Sequence, residues 1–132
     1  EQYNNSKSAK SFTSLTVWQK AHQFVLATYQ ASHGFPDTGG RINKLDSTGK
    51  HFDNGNIAEG FVHSGDRDKV KFYNTALGSL AETQNQLLLA RDLGYLDEAH
   101  FKELANQTVT ISKLLNGLIK SNVTNNIPVL HN

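Results

Sequence analysis

The chain has 132 residues, the size of one domain, and thirteen Lys plus Arg against twelve Asp plus Glu give a net charge of +1. That balance excludes the broad basic excess of a dedicated nucleic-acid binder, and the absence of Cys removes disulfide frameworks, thiolate metal sites and cysteine nucleophiles. No apolar run approaches the ~18 residues of a membrane-crossing helix, and the polar start lacks a secretion signal's apolar stretch, so a soluble cytoplasmic protein without membrane association is expected.

Glu1 to Ser11 is rich in Asn, Ser and Lys, and such a segment cannot offset the entropy of ordering itself. Residues 1–13 therefore read as a flexible arm. From Ser14, a suitable N-cap, Leu15, Trp18, His22, Val25 and Tyr29 recur at spacings of three and four, with Ala21 on the same stripe. Gly34 and then Phe35-Pro36 stop the pattern, which predicts a first helix over Leu15 to His33.

Asp37-Thr38-Gly39-Gly40 reads as a loop with capping chemistry. Ile42, Leu45 and Phe52 then form a weaker stripe, the turn-prone Asn54-Gly55 interrupts it, and Ile57-Ala58 and Phe61-Val62 resume it. The second helix is expected either as one bent helix from about Arg41 to Val62 or as two pieces joined near Gly55.

Ser64-Gly65-Asp66 is the next break, with Asp66 placed to cap a third helix. Its apolar face is Val70, Tyr73, Ala76-Leu77, Leu80, Gln84, Leu87-Leu88 and Arg91, and Gly94 stands at the C′ position. Asp97 opens a fourth helix with Phe101, Leu104, Thr108, Ile111, Leu115 and Leu118 in line, ending near Lys120 and Ser121; Asn122 to Asn132 read as a frayed tail. The short connection at Gly94 makes helices three and four an antiparallel hairpin.

Each stripe is too narrow to be stable alone, so the expectation for residues 14–121 is an all-α, antiparallel up-down four-helix bundle. Phe72, Ala76 and Leu89 on helix three extend beyond one seam, which points either to a second face buried by another subunit or to residues singly exposed or covering the bundle's ends.

Catalytic and metal chemistry is sought and mostly not found. Among the six histidines, only Asp97-x-x-His100 comes close to the Glu-x-x-His pattern of bundle metal sites, and it lies in a first turn without a partner copy. His22 reads as a core or interface histidine with a hydrogen-bonded nitrogen. Ser47-Thr48-Gly49-Lys50 lacks the earlier glycine of a phosphate loop, Lys44 standing in its place. Glu59 and Glu82 form an acid/base pair only if both enter the bundle interior. The expectation is a protein with no enzymatic activity, cofactor or metal.

The basic residues remain as candidates for phosphate binding: Lys20 on helix one, Arg41, Lys44 and Lys50 on helix two, and Arg67, Lys69 and Lys71 at the start of helix three. The last group opposes what a helix dipole prefers, a hint of selection for something besides stability. The bland alternative is a solvated helix end interleaved with Asp66 and Asp68. Two functions follow: association with RNA or DNA through basic helix ends of an oligomer, or a protein-interaction scaffold without nucleic acid.

Several blocks carry a resemblance: Val17-Trp18-Gln19-Lys20-Ala21-His22, Asn56-Ile57-Ala58-Glu59-Gly60-Phe61, Ala76-Leu77-Gly78-Ser79-Leu80-Ala81-Glu82, Gln86 through Leu96, and Leu114 through Lys120. In order over most of Ser11 to Ser121, they closely resemble the 23S ribosomal RNA intervening-sequence protein family. The resemblance implies a four-helix bundle, commonly a ring-shaped homopentamer, with no known enzymatic activity. It is also similar to the accessory variability proteins of diversity-generating retroelements, basic pentamers that work with RNA and reverse transcriptase. Where family members often carry adjacent arginines before the Asn-Ile-Ala-Glu-Gly block, this chain has Asp46-Ser47-Thr48-Gly49. Within the blocks, Asn56 and Glu59 are expected as hydrogen-bonded partners on a buried helix, and Gly60 and Gly78 as points of close helix approach.

Overall fold

The computed structural model describes residues 11–36 and 52–126, with side chains as far as residue 123. The Ser11 hydroxyl accepts the Thr13 N–H at 3.2 Å and bends Phe12–Ser14 into a single 3₁₀ turn. Helix α1, Thr16–Ser32, follows from Leu15 with no side-chain cap, so Ser14 belongs to the preceding turn and is not the N-cap expected of it. The helix buries Val17, Ala21, Phe24, Thr28 and Ser32. That is a strip adjacent to the expected one: Trp18 and Val25 are only half-buried, and His22 and Tyr29 are exposed. Thr28 and Ser32 enter the interior because each hydroxyl donates to a carbonyl one turn back, Val25 O at 2.8 Å and Tyr29 O at 3.2 Å.

Helix α2, Gly55–Val62, begins where the sequence reading placed an interruption. The Asp53 carboxylate accepts the Gly55 N–H at 2.8 Å, so Asn54-Gly55 starts the helix. The proposed segment from Arg41 to Lys50 lies outside the described residues. Phe52 is fully buried against Phe24, and its N–H donates to Thr83 Oγ1 at 2.8 Å, which fastens the approach to α2 onto the next helix.

Helix α3, Asp66–Asp92, is capped by Gly65 without a side-chain bond; Asp66, expected as the cap, sits with Asp68 in the first turn, where both complement the dipole. At its other end Gly94 takes φ +81°, the Gly94 N–H bonds Arg91 O, and the Tyr95 N–H bonds Ala90 O, a Schellman closure. Helix α4, Glu98–Asn126, starts at Asp97, whose carboxylate accepts the His100 N–H at 2.8 Å. It runs beyond Ser121, where the tail was expected to fray, because no breaker intervenes before Pro128 and the Asn122 amide returns to Leu118 O.

The four helices form an all-α up-down bundle in which α4 lies between α1 and α3, and α2 lies beside α3. Along the α3/α4 hairpin, Gln84 faces Thr108 and Arg91 covers Phe101, and this register puts Lys71 and Phe72 level with Lys120 and Ser121. Leu15, just before α1, and Val17 within it face Leu114 and Leu118 of α4, so the start of α1, the end of α2, the start of α3 and the later turns of α4 lie toward one end of the bundle. The core includes Phe24, Ile57, Tyr73, Leu80, Leu87, Ile111 and Leu115. Ala76 belongs to it, fully buried, and so is not part of a second face. No helix among the described residues is long and apolar enough to cross a membrane.

Candidate nucleic-acid interface

Charge is distributed unevenly along the bundle axis. The end just defined carries Arg67, Lys69, Lys71 and Lys120 against Glu59, Asp66 and Asp68, while the middle of the bundle carries Lys20 and Lys113 against Asp53 and Glu82. Toward the opposite end, Asp92, Asp97, Glu98 and Glu103 outnumber Arg91 and Lys102. The first end is net positive and the second net negative, although the whole chain is nearly neutral.

The expected cations meet different fates. Arg67 and Lys71 project from the first turns of α3 into solvent. Lys20 is exposed on α1 and lines a shallow polar depression with Gln23, Gln107 and Thr110. Lys69 is turned inward: its ammonium donates to Gly60 O at 3.1 Å and Phe61 O at 2.7 Å and stands 5.5 Å from the Phe61 ring centre. It closes the carbonyl end of α2, where a cation complements the dipole, and burial pulls its pKa below the ordinary lysine value despite the opposing field of Asp66. Lys69 thus holds α2 against α3 while its two neighbours face outward. Arg41, Lys44 and Lys50 lie outside the described residues.

Sequence reasoning missed Lys113 and Lys120. They stand seven residues apart on the outer part of α4, and no acid follows Glu103 in that helix. The signal was present in the sequence, a cationic last half of a helix, but it became a site only when the hairpin register set Lys120 beside the start of α3. A cleft of about 270 Å³ adjoining that end lies between α1 and α4, lined by Leu15, Thr16, Val17, Lys113, Leu114, Gly117 and Leu118.

Other candidates dissolve on inspection of their surroundings. Glu59 and Glu82 are both exposed, so they form no interior pair, and Glu59 is no buried partner for Asn56. His22 is exposed, lying flat on Trp18 at 4.8 Å with its Nδ1 3.2 Å from the Asn54 amide, so the hydrogen-bonded nitrogen is present but the core position is not. His63 shares a hydrogen bond with Glu59 O at 2.7 Å and packs on Phe72. The Asp97 carboxyl is held below its ordinary pKa first by the His100 backbone N–H and then by the His100 ring, which describes a helix cap. Among the described residues no three His, Asp or Glu converge as a metal site would require.

Fold and surface together define a small all-α bundle protein with one cationic end. Residues 54–117, just under half of the chain, match the family model described as 23S rRNA-intervening sequence protein. The match spans α2, α3, the Gly94 turn and most of α4, including Lys113. No curated protein and no solved structure matches the chain.

Proposed function

We propose that this protein is a non-enzymatic, oligomeric accessory protein of the cytoplasm that holds RNA or DNA through phosphate contacts at its cationic end. The supporting observation is the placement of Arg67, Lys71 and Lys120 at one end of a chain that is nearly neutral as a whole, with Lys20 and Lys113 exposed along the adjoining lengths of α1 and α4. Lys and Arg grouped in this way displace condensed counterions from a phosphate backbone, and that gain is independent of sequence. Arg67 sits in the first turn of α3, where the dipole disfavours a cation, and Lys71 stands one turn further on. Copies in a ring multiply a weak patch by avidity, and the family's name, 23S rRNA-intervening sequence protein, agrees with an RNA context.

The test is a mobility-shift titration against structured RNA and duplex DNA at two salt concentrations, using material of measured solution mass. Binding is expected to weaken steeply with salt and to fall with Arg67→Glu and Lys71→Glu, while Lys102→Glu, toward the acidic end, has little effect. Binding indifferent to salt and to those reversals overturns the reading. A scaffold that recruits only protein is favoured by the exposed Leu88, Leu89 and Leu93 on α3. A stoichiometric protein partner that survives nuclease would support it.

A further inference from the structure

The cleft between α1 and α4 bears on what kind of nucleic acid the cationic end selects. Its walls are the aliphatic side chains of Leu15, Val17, Leu114 and Leu118, and its volume is about 270 Å³. That is below the roughly 300–1,000 Å³ of pockets for drug-sized ligands and leaves room for one flat ring system. Gly117 lines it, and a Cβ built there would meet no atom within 4 Å, so the missing side chain leaves the cleft open. Lys113, one turn earlier on α4, is the single charged residue of the lining. An apolar slot beside a cation, adjoining the net-positive end, is complementary to a base and its adjoining phosphate.

We propose that the cleft takes one unstacked base of a single strand while Lys113 meets the neighbouring phosphate. This rests on the reading that the cationic end binds nucleic acid. A duplex keeps its bases paired and stacked and presents only phosphates to the lysines. A single strand can turn a base into the apolar slot at little cost and gains the contact there. The cleft thereby adds a preference for single-stranded over double-stranded segments to an otherwise sequence-independent charge attraction.

The experiment measures fluorescence anisotropy of an end-labelled single-stranded RNA of about twelve nucleotides, a length within the site sizes of single-strand binders. The duplex of the same sequence is titrated in parallel, against the full chain and its Gly117→Leu and Lys113→Ala variants. Gly117→Leu fills the slot with a good helix former and leaves every charge in place. It is expected to weaken single-strand binding about tenfold, the scale of withdrawing about 50 Å² of apolar surface from water, and to leave duplex binding and both salt slopes unchanged. Lys113→Ala is expected to weaken both. If Gly117→Leu lowers neither affinity, or both equally, the cleft holds no base, while salt-dependent binding would still uphold the cationic end. If neither nucleic acid binds the wild-type chain, the underlying reading fails first. A change in solution mass caused by Gly117→Leu with affinity unaltered would assign the cleft to a second copy of the chain and overturn the proposal.

Discussion

Gly60 of α2 rests on the ring of Tyr73 of α3: a Cβ at position 60 would lie 2.6 Å from Tyr73 Cε1 and 3.2 Å from Phe72 Cβ. Both helices are buried at this crossing, Tyr73 being 2% exposed, so neither the ring nor the backbone has room to withdraw. Gly60→Ala is expected to destabilise the bundle by about 1–3 kcal/mol, overpacking outweighing the ~1 kcal/mol that alanine gains over glycine within a helix. Gly78→Ala is the contrasting case. Nothing lies within 4 Å of a Cβ there, contrary to the close approach expected from its sequence block, so the propensity term stands alone and stabilises by up to about 1 kcal/mol. Urea unfolding of the two variants should move the midpoints in opposite directions, and a common direction would contradict the packing described.

The burial that crowds Gly60 also sets an alkaline limit. Desolvation raises the Tyr73 phenol from its ordinary 10.0 to about 12. Unfolded chain loses that proton near pH 10, whereas folded chain keeps it until about pH 12, so the stability associated with the neutral phenol is intact below pH 10 and is lost between the two values. A shift of this size corresponds to about 2–3 kcal/mol. Lys69, its pKa lowered, acts with opposite sign: unfolded chain holds the lysine proton to higher pH, so stability rises as pH climbs from the folded value toward 10.5. Subtracting a Tyr73→Phe curve from the wild-type pH dependence of unfolding isolates the tyrosine. The difference should appear above pH 10, and parallel curves from pH 10 to 12 would refute it.

Lys69 separates structure from binding. Replacing it with Gln removes the ammonium that closes the α2 carbonyls and is expected to cost about 1–2 kcal/mol, toward the lower part of the range for bonds to charged donors because the site is partly solvated. Since the ammonium already faces inward, the salt slope for nucleic acid should change little. Lys71→Glu, two residues away and exposed, should leave the midpoint within about 0.5 kcal/mol and lower the slope. Identical effects of the two substitutions on affinity would erase the distinction drawn from their geometry.

Where the sequence signal was strong, the architecture followed it. Tyr73, Leu80 and Leu87 on α3 and Leu104, Ile111, Leu115 and Leu118 on α4 all entered the core, and Gly94 took the left-handed conformation that a C′ glycine supplies. Helix α1 misled because it has two neighbouring strips, and the one with the bulkier residues, Trp18 and Tyr29, is the more exposed. Hydrophobicity alone cannot identify Thr28 and Ser32 as interior residues; their hydroxyls satisfy themselves on the helix's own backbone. The candidate site was legible only as local charge. That Lys69 turns inward depends on the carbonyl end of α2 arriving beside it, and that Lys120 joins Arg67 and Lys71 depends on the hairpin register.

The Gly94 turn supports a further prediction. Its φ of +81° places a side chain in the region L-residues rarely adopt, while the space around it is open. Gly94→Ala is therefore expected to cost about 1–2 kcal/mol through backbone strain alone. Gly94→Asn, better tolerated in that conformation, should recover part of it. Equal loss in both variants would point to crowding instead.

Leu88, Leu89 and Leu93 are 42%, 43% and 57% exposed on the last turns of α3, and Val109 of α4 is 47% exposed. Scattered leucines on a surface need no explanation, but three within six residues of one helix make an apolar area that water covers poorly. The Schellman closure holds the end of α3 rigid, so the leucines cannot fold back over the core to hide. Contact with another copy of the chain would cover them, and this patch is near the acidic end, leaving the cationic end open to phosphate. Leu89→Asp with Leu93→Asp should lower the mass measured by light scattering while preserving the helical circular dichroism of the bundle. Each affinity for nucleic acid should then fall to that of an isolated patch, with the salt slope per patch retained. An unchanged mass in the double variant would show that these leucines take no part in assembly.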